Sequence, residues 1–177
     1  MVDLVLVNGL PGSGKTTLAT QLAQTLQAPL ISKDAIKEAV ADVVAAPARA
    51  LGMASSEMMW ALAAAMTGTL VLESWWFTPR DLPHVEAGLR RCTPSTVIEV
   101  WCDVPPHIAK ARYAARTRHR IHQDQGRLTD AWPLWESQAS PLNVGTTLRI
   151  NTNGTVDLVD LADRIAEAMA GSQRWER

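Results

Sequence analysis

The sequence predicts an α/β fold, a parallel sheet with helices on both faces, and three observations lead there. Short apolar runs alternate with helix-periodic segments along the 177 residues, the pattern of repeated strand–helix–strand units. The first run, Leu4 to Val7, is short and wholly apolar, as a strand covered on both faces should be. It is followed at once by Gly9-Leu10-Pro11-Gly12-Ser13-Gly14-Lys15-Thr16-Thr17, a G-x-x-x-x-G-K-T pattern (Walker A, or P-loop) between strand and helix.

Each residue type in that loop has a physical reason. Gly9, Gly12 and Gly14 let the backbone turn tightly and aim successive N–H groups inward as an anion nest. Lys15 can reach terminal phosphates, and the Thr16 hydroxyl can hold Mg²⁺. The helix that starts near Lys15 sets the positive end of its dipole beneath them. A nucleoside triphosphate is the expected ligand of Gly9–Thr17.

Composition sets the outer bounds. The chain is long enough to be one domain over residues 1–177 that buries its core without disulfides or metals. A net charge of −1 argues against a protein that coats nucleic acid nonspecifically. Cys92 and Cys102, the only cysteines, make neither a disulfide framework nor a metal cluster and fit a reducing cytosol. Asp3 interrupts the amino terminus, no basic segment precedes the apolar run, and nothing reaches the ~18 apolar residues of a membrane span. A soluble cytoplasmic protein is expected; its oligomeric state is not legible.

Taken in order, residues 15–27 read as the first helix, with Leu18, Leu22 and Leu26 on one face and Pro29 ending it. Leu30-Ile31 make a second strand, and Asp34 stands where it gives way to a helix from Ala35 to about Val44. Residues 53–68 predict a helix whose methionines form a core stripe. Thr69–Glu73 is a strand, Ser74–Phe77 an aromatic loop, and Thr78-Pro79 open a helix over 80–91. Thr96–Cys102 is a strand, and Asp103 reads as a cap for a helix that Pro105-Pro106 open and that runs to about His119. A polar stretch over 121–130 and a segment Trp132–Trp135 follow. Leu148–Ile150 is the last strand, Asn151–Thr155 a turn, and 156–170 the closing helix; the tail from Gly171 should fray.

In a parallel sheet ligands bind outside the carboxyl ends of the strands, so Gly9–Thr16, Asp34, Glu73–Trp76, Asp103 and Asn151–Thr155 should converge on one edge. Asp34 can accept a proton from an attacking hydroxyl, or simply cap its helix. Lys37, one turn on, either meets an anionic acceptor or faces water. Glu73 either reaches Mg²⁺ through water, touches the acceptor, or merely ends its strand. Arg112, Arg116 and Arg120 recur every four residues, and such a stack repels itself unless an anion lies among them. A mobile lid over about 110–130 would supply that positive charge to a phosphoryl group in transit. His119 and His122, without further ligands, suit hydrogen bonding better than zinc. Trp75 and Trp76 cannot both face one core, which suggests an apolar wall for the acceptor.

Gly9–Thr17, Ser32-Lys33-Asp34-Ala-Ile-Lys37, Val100-Trp-Cys-Asp-Val-Pro105 and Arg112-Tyr-Ala-Ala-Arg116-Thr-Arg118-His119 together resemble the small P-loop kinases of the AAA_33, zeta-toxin and chloramphenicol-phosphotransferase group, which is related to polynucleotide kinase domains. The resemblance spans nearly the whole chain. It implies a three-layer α/β/α P-loop NTPase fold, a five-stranded parallel sheet with a helical lid, and transfer of the γ-phosphoryl of ATP, with Mg²⁺, to a hydroxyl. By motif position it implies Asp34 as general base, with Lys15, Arg116 and Arg120 sharing the catalysis. Arg112, Asn151 and Thr152 would lie on the nucleotide, and Lys37, Glu73, Trp75 and Trp76 on the acceptor. Lys37 replaces the arginine usual in polynucleotide kinases, and Arg118-His119-Arg120 departs from the Arg-His-Pro of close relatives.

The expected activity is therefore phosphorylation of a small alcohol, antibiotic-, nucleoside- or sugar-like. Two alternatives stand beside it. A 5′-hydroxyl polynucleotide kinase would need a basic track that the scattered charges outside 110–127 do not provide. A nucleotide-dependent switch would need neither Asp34 nor an acceptor pocket. A nucleoside monophosphate kinase is disfavoured, because 35–68 carries only Lys37 and Arg49 for a second phosphate.

Overall fold

Val2, Leu4, Val5, Leu6 and Val7 are all buried, which forces the first strand, β1 (Val2–Asn8), through the middle of a sheet. The computed structural model describes residues 1–122 and 124–171; the tail beyond Gly171, expected to fray, lies outside them. β2 (Leu30–Ser32), β3 (Gly68–Glu73), β4 (Thr96–Asp103) and β5 (Thr146–Asn151) complete an all-parallel sheet in the order β2-β3-β1-β4-β5. The helices are α1 (Lys15–Thr25), α2 (Lys33–Val43), α3 (Ala48–Ala64), α4 (Thr78–Cys92), α5 (Pro106–Ala115), α6 (Asp124–Asp130), α7 (Trp132–Gln138) and α8 (Leu158–Gly171). The three-layer arrangement is the one the sequence predicts.

Alternation along β1 divides the core. Leu4 and Leu6, with Leu70 and Leu72, pack against Met59 and Trp60 of α3 and Val85 and Leu89 of α4. Val5 and Val7, with Val71, Ile98 and Val100, pack against Leu18 and Leu22 of α1 and Leu161 and Ile165 of α8. A third cluster, Leu10, Phe77, Val104, Ala109, Tyr113, Trp132 and Trp135, sits over the carboxyl end of the sheet. It fixes α5 and α7 above the glycine-rich loop.

Several expectations need correction. α2 begins at Lys33, because Ser32 rather than Asp34 caps it; the Ser32 hydroxyl accepts from Ala35 N–H at 3.4 Å. α3 begins five residues early, after Pro47, and its methionines divide: Met59 is buried and Met53 exposed. α5 stops at Ala115, not near His119, and Pro105 rather than Asp103 holds the capping position. Its apolar stripe, Ala109 and Tyr113, has no successor one turn on, where Arg116 and Thr117 stand, so no burial repays further helix. The polar stretch 121–130 holds a turn of 3₁₀ helix and then α6.

Two polar residues brace the site from beneath. Glu99, fully buried in β4, accepts from Asn8 Nδ2 (3.1 Å), Leu142 N (2.9 Å), Asn143 N (3.0 Å) and Thr147 Oγ1 (3.4 Å). A buried carboxylate without such donors would be costly. Asn8 in turn accepts from Gly9 N (2.8 Å) and Trp76 N (3.1 Å), tying the glycine-rich loop to the aromatic one. Neither residue stands out in the sequence as part of the site.

Candidate functional site

The glycine-rich loop turns as its composition requires. Gly9, Gly12 and Gly14 have φ of 146°, 84° and 90°. A Cβ on Gly12 would lie 2.1 Å from the Ala109 carbonyl oxygen, so only glycine lets the loop slide beneath α5. Lys15 starts α1, is buried, and donates to the Leu10 carbonyl at 3.0 Å. Burial lowers its pKa, against the opposing pull of Glu73 and, further off, Cys102 and Asp34. Its Nζ also stands 5.9 Å from the centroid of the Trp75 ring. Pro11, Ser13 and Thr17 complete the loop, and the Ser13 carbonyl accepts from Thr152 Oγ1 at 2.7 Å.

A chain of contacts leads from there to Asp34. Thr16 Oγ1 donates to Glu73 Oε1 (3.3 Å), and Ser32 Oγ donates to Glu73 Oε2 (2.6 Å). Ser32 caps α2, whose first turn carries Asp34. One buried carboxylate thus links the end of β3, the start of α1 and the start of α2. The hydroxyl of Thr16 and the carboxylate of Glu73 are adjacent hard oxygen donors, which suit Mg²⁺ held jointly with phosphate oxygens. Among the described residues, no cluster of three His, Cys, Asp or Glu side chains can hold a metal alone.

Beyond Asp34, the acids of α2 recur every fourth residue and all meet the segment after α5. Arg118 forms an ion pair with Asp34 and lies 4.0 Å from Glu38. His122 Nε2 lies 2.7 Å from Glu38 Oε1, and His119 Nε2 lies 3.1 Å from Asp42 Oδ1. Burial pushes the Asp34 carboxyl up, but the Arg118 guanidinium, with His122 and Lys15 behind it, holds it below the usual carboxylate value. Burial also lowers the His122 pKa, opposed by Asp34 and assisted by Arg118. Asp34 is therefore held as the ionised carboxylate in its pair with Arg118.

The arginines do not form the expected single stack. Arg112 lies on α5 and reaches the loop after β5, donating to Thr152 O (3.2 Å) and Asn153 Oδ1 (3.3 Å). Asn151 is exposed there and accepts from Asn153 N. Arg112, Asn151 and Thr152 are thus brought together beside the glycine-rich loop. Arg116 follows in extended backbone, with its guanidinium 4.4 Å from the Tyr113 ring centroid and near enough to Lys15 to depress that amine slightly. Arg120, on the 3₁₀ turn, is exposed and shares no helix face with the other two. The sequence thus favours Arg120 where Arg118 meets Asp34. Lys37, expected to meet an acceptor or face water, is buried and donates to Ile121 O at 3.4 Å.

Adjacent tryptophans part company. Trp76 is only 2% exposed and stacks near Trp60 in the core, so it lines no acceptor wall. Trp75 instead packs with Phe77 and Trp135 beside Lys15. Asp103, at the end of β4, pairs with Arg149 (3.3 Å).

Sheet order, glycine-rich loop and the strand-end acid at β3 define an α/β protein with the fold of the P-loop kinases. The chain belongs to the AAA_33 family, described as an AAA domain, which matches residues 4–132. Its structure is similar to that of a presumed kinase of Chloroflexus aurantiacus (24% identity, 94% of this chain and 97% of the other, TM-score 0.74). It is also similar to a shikimate kinase of Bacteroides thetaiotaomicron (18%, 95% and 98%, TM-score 0.62). A gluconokinase of Sinorhizobium meliloti shares the fold too (16%, 95% and 91%, TM-score 0.58). No curated protein matches the chain. Among the described residues no helix is long and apolar enough to cross a membrane.

Proposed function

We propose that this protein transfers the γ-phosphoryl group of ATP to a hydroxyl of a small molecule, with Asp34 as the general base. The observation that carries the proposal is the linkage of Lys15, Thr16, Glu73, Ser32 and Asp34. Through it an ionised carboxylate in the first turn of α2 is tied, by the Ser32 cap and the buried Glu73, to Thr16 of a loop built for phosphates.

The residues divide the work along this line. Backbone N–H groups of Gly9–Thr17 and the Lys15 ammonium hold the β- and γ-phosphates, and Arg112 with Asn151 and Thr152 borders the nucleoside. Thr16, with Glu73 behind it, would hold Mg²⁺, which would supply positive charge to the transferring phosphoryl. Arg116, stacked on Tyr113 beside Lys15, adds positive charge where the equatorial oxygens gather it. Arg118 releases Asp34 as the acceptor arrives, and Asp34 takes the hydroxyl proton while the acceptor oxygen attacks the γ-phosphorus and the bond from that phosphorus to the β-phosphate oxygen breaks, with ADP leaving. Trp75 shields the reacting groups from water. That other proteins of this fold are named for shikimate and gluconate agrees with a small polyol acceptor.

The experiment is a transfer screen with γ-labelled ATP and Mg²⁺ against sugars, cyclitols, nucleosides, hydroxylated antibiotics and 5′-hydroxyl oligonucleotides. A labelled small-molecule product is expected. Label appearing only on oligonucleotide ends, or only as free phosphate, would refute this reading.

A further inference from the structure

Arg116 stands just past the end of α5, in extended backbone with φ −82° and ψ 143°. The helix therefore does not set where its side chain lies. Tyr113, one turn back on α5, does so instead. The guanidinium carbon is 4.4 Å from the centroid of the Tyr113 ring, well inside the ~6 Å over which an aromatic face attracts a cation.

Tyr113 is itself held from two sides. Its backbone rests on the glycine-rich loop, since a Cβ on Gly12 would lie 3.0 Å from Tyr113 N. Its buried ring meets Trp132 at 5.9 Å and 33°, and the edge of Trp135 at 6.3 Å and 81°. Both are tilted or edge-on arrangements that aromatic pairs favour. Trp132 and Trp135 are buried on α7 and meet each other at 6.2 Å. Trp135 then meets Trp75 at 6.1 Å, and the Trp75 ring stands 5.9 Å from Lys15 Nζ. A row of rings thus runs from Arg116 to Lys15. A plain core would close on apolar side chains at both ends, whereas this row closes on a cation at each.

We propose that Tyr113 is a positioning residue, locked by Trp132 and Trp135 of α7, whose ring holds the Arg116 guanidinium at the phosphate cradle before and during phosphoryl transfer. What Arg116 meets there rests on the kinase reading; the stack itself does not. A guanidinium can lay its face on a ring and offer its N–H edge to an oxyanion at the same time, which an ammonium cannot. A long side chain ordered only at the moment of reaction forfeits its rotamer freedom then, and one already ordered does not. The stack therefore supplies charge that needs no reorganisation when the phosphoryl group moves. By this route α7 acts on the chemistry without touching substrate.

The test needs no acceptor. ADP is titrated calorimetrically with Mg²⁺ present, with and without aluminium fluoride, which takes the place of the transferring phosphoryl group. The ratio of the two affinities reads the placement of Arg116. Tyr113→Leu should lower that ratio about tenfold, the worth of a desolvated cation–π contact, and leave affinity for ADP alone within about twofold. Tyr113→Phe keeps the ring and should restore most of the ratio. Arg116→Met should lower it as Tyr113→Leu does, and the second change should add nothing to the first. A measurement on the unmutated protein decides the matter even if Tyr113→Leu fails to fold. The ring current of Tyr113 should shift the Arg116 side-chain proton signals, and that shift should persist with ADP, Mg²⁺ and aluminium fluoride bound. Loss of the shift on loading would overturn the proposal. So would equal ratios in Tyr113→Leu and Tyr113→Phe, additive losses in the double variant, or no gain from aluminium fluoride in the parent. A failed transfer screen beside the expected ratios would refute the kinase reading and spare the stack.

Discussion

The phosphate half and the acceptor half of the site are built by different means. Around Gly9–Thr16 the geometry is made by backbone: three glycines at positive φ, a buried lysine on a carbonyl, and a buried carboxylate bonded to two hydroxyls. Between α2 and residues 118–122 it is made by side-chain ion pairs, most of them partly exposed. The first arrangement cannot move without breaking the core beneath it. The second can open one pair at a time, since each partly exposed pair contributes only ~0–1 kcal/mol. A kinase needs both, a fixed cradle for the nucleotide that every such enzyme binds and an adjustable seam for the acceptor that each binds alone.

The contrast can be broken hardest at the cradle. Lys15→Met should cost about 10³-fold in transfer and also weaken nucleotide binding, because it removes the charge that stabilises the transferring group; steady-state kinetics and ADP titration measure both. Gly12→Ala should follow, at about 3 kcal/mol of stability in a denaturant melt. It adds a methyl 2.1 Å from Ala109 O at φ 84°, where overpacking and left-handed backbone both count against it.

The seam should respond more gently. Arg118→Met is expected to lower transfer about tenfold and to move the acidic limb of the rate profile upward. With the guanidinium gone, the largest charge opposing burial is lost and only His122 and Lys15 still oppose it, so the Asp34 pKa rises and activity is lost at a higher pH than in the parent. An unmoved limb would show that Arg118 does not tune Asp34. The smallest effect concerns His122. Its folded pKa lies below the imidazole's ordinary 6.5, so its stability contribution is complete above that value and is lost as pH falls through the folded one. Acidification from neutrality to about pH 5.5 should therefore lower the melting temperature of the parent more than that of His122→Asn.

The same division decides what the sequence could reveal. β1, the loop and the start of α1 are legible because each residue there answers to one local demand, a buried strand, a tight turn or a helix start. The fold follows from repeating that logic strand by strand. In the seam the demands are tertiary. The charge spacing of Arg112, Arg116 and Arg120 suggests a continuing helix, but helices are held by apolar burial, and that stripe ends at Tyr113. Trp75 and Trp76 have equal local claims on a pocket, and only the packing of Trp60 takes Trp76 inward. Lys37 looks solvated by composition and is buried because 118–122 folds over it. Glu99 would have been the findable exception, since a lone carboxylate inside an apolar strand demands donors.

The account turns on Asp34 acting as a base beside an intact nucleotide cradle, and Asp34→Asn tests that most directly. Single-turnover transfer and ATP affinity should be measured on the same preparation. The expected result is affinity within about twofold of the parent and transfer slower by ~10²–10⁴, the usual worth of a positioned base. Transfer at the parental rate would contradict the account.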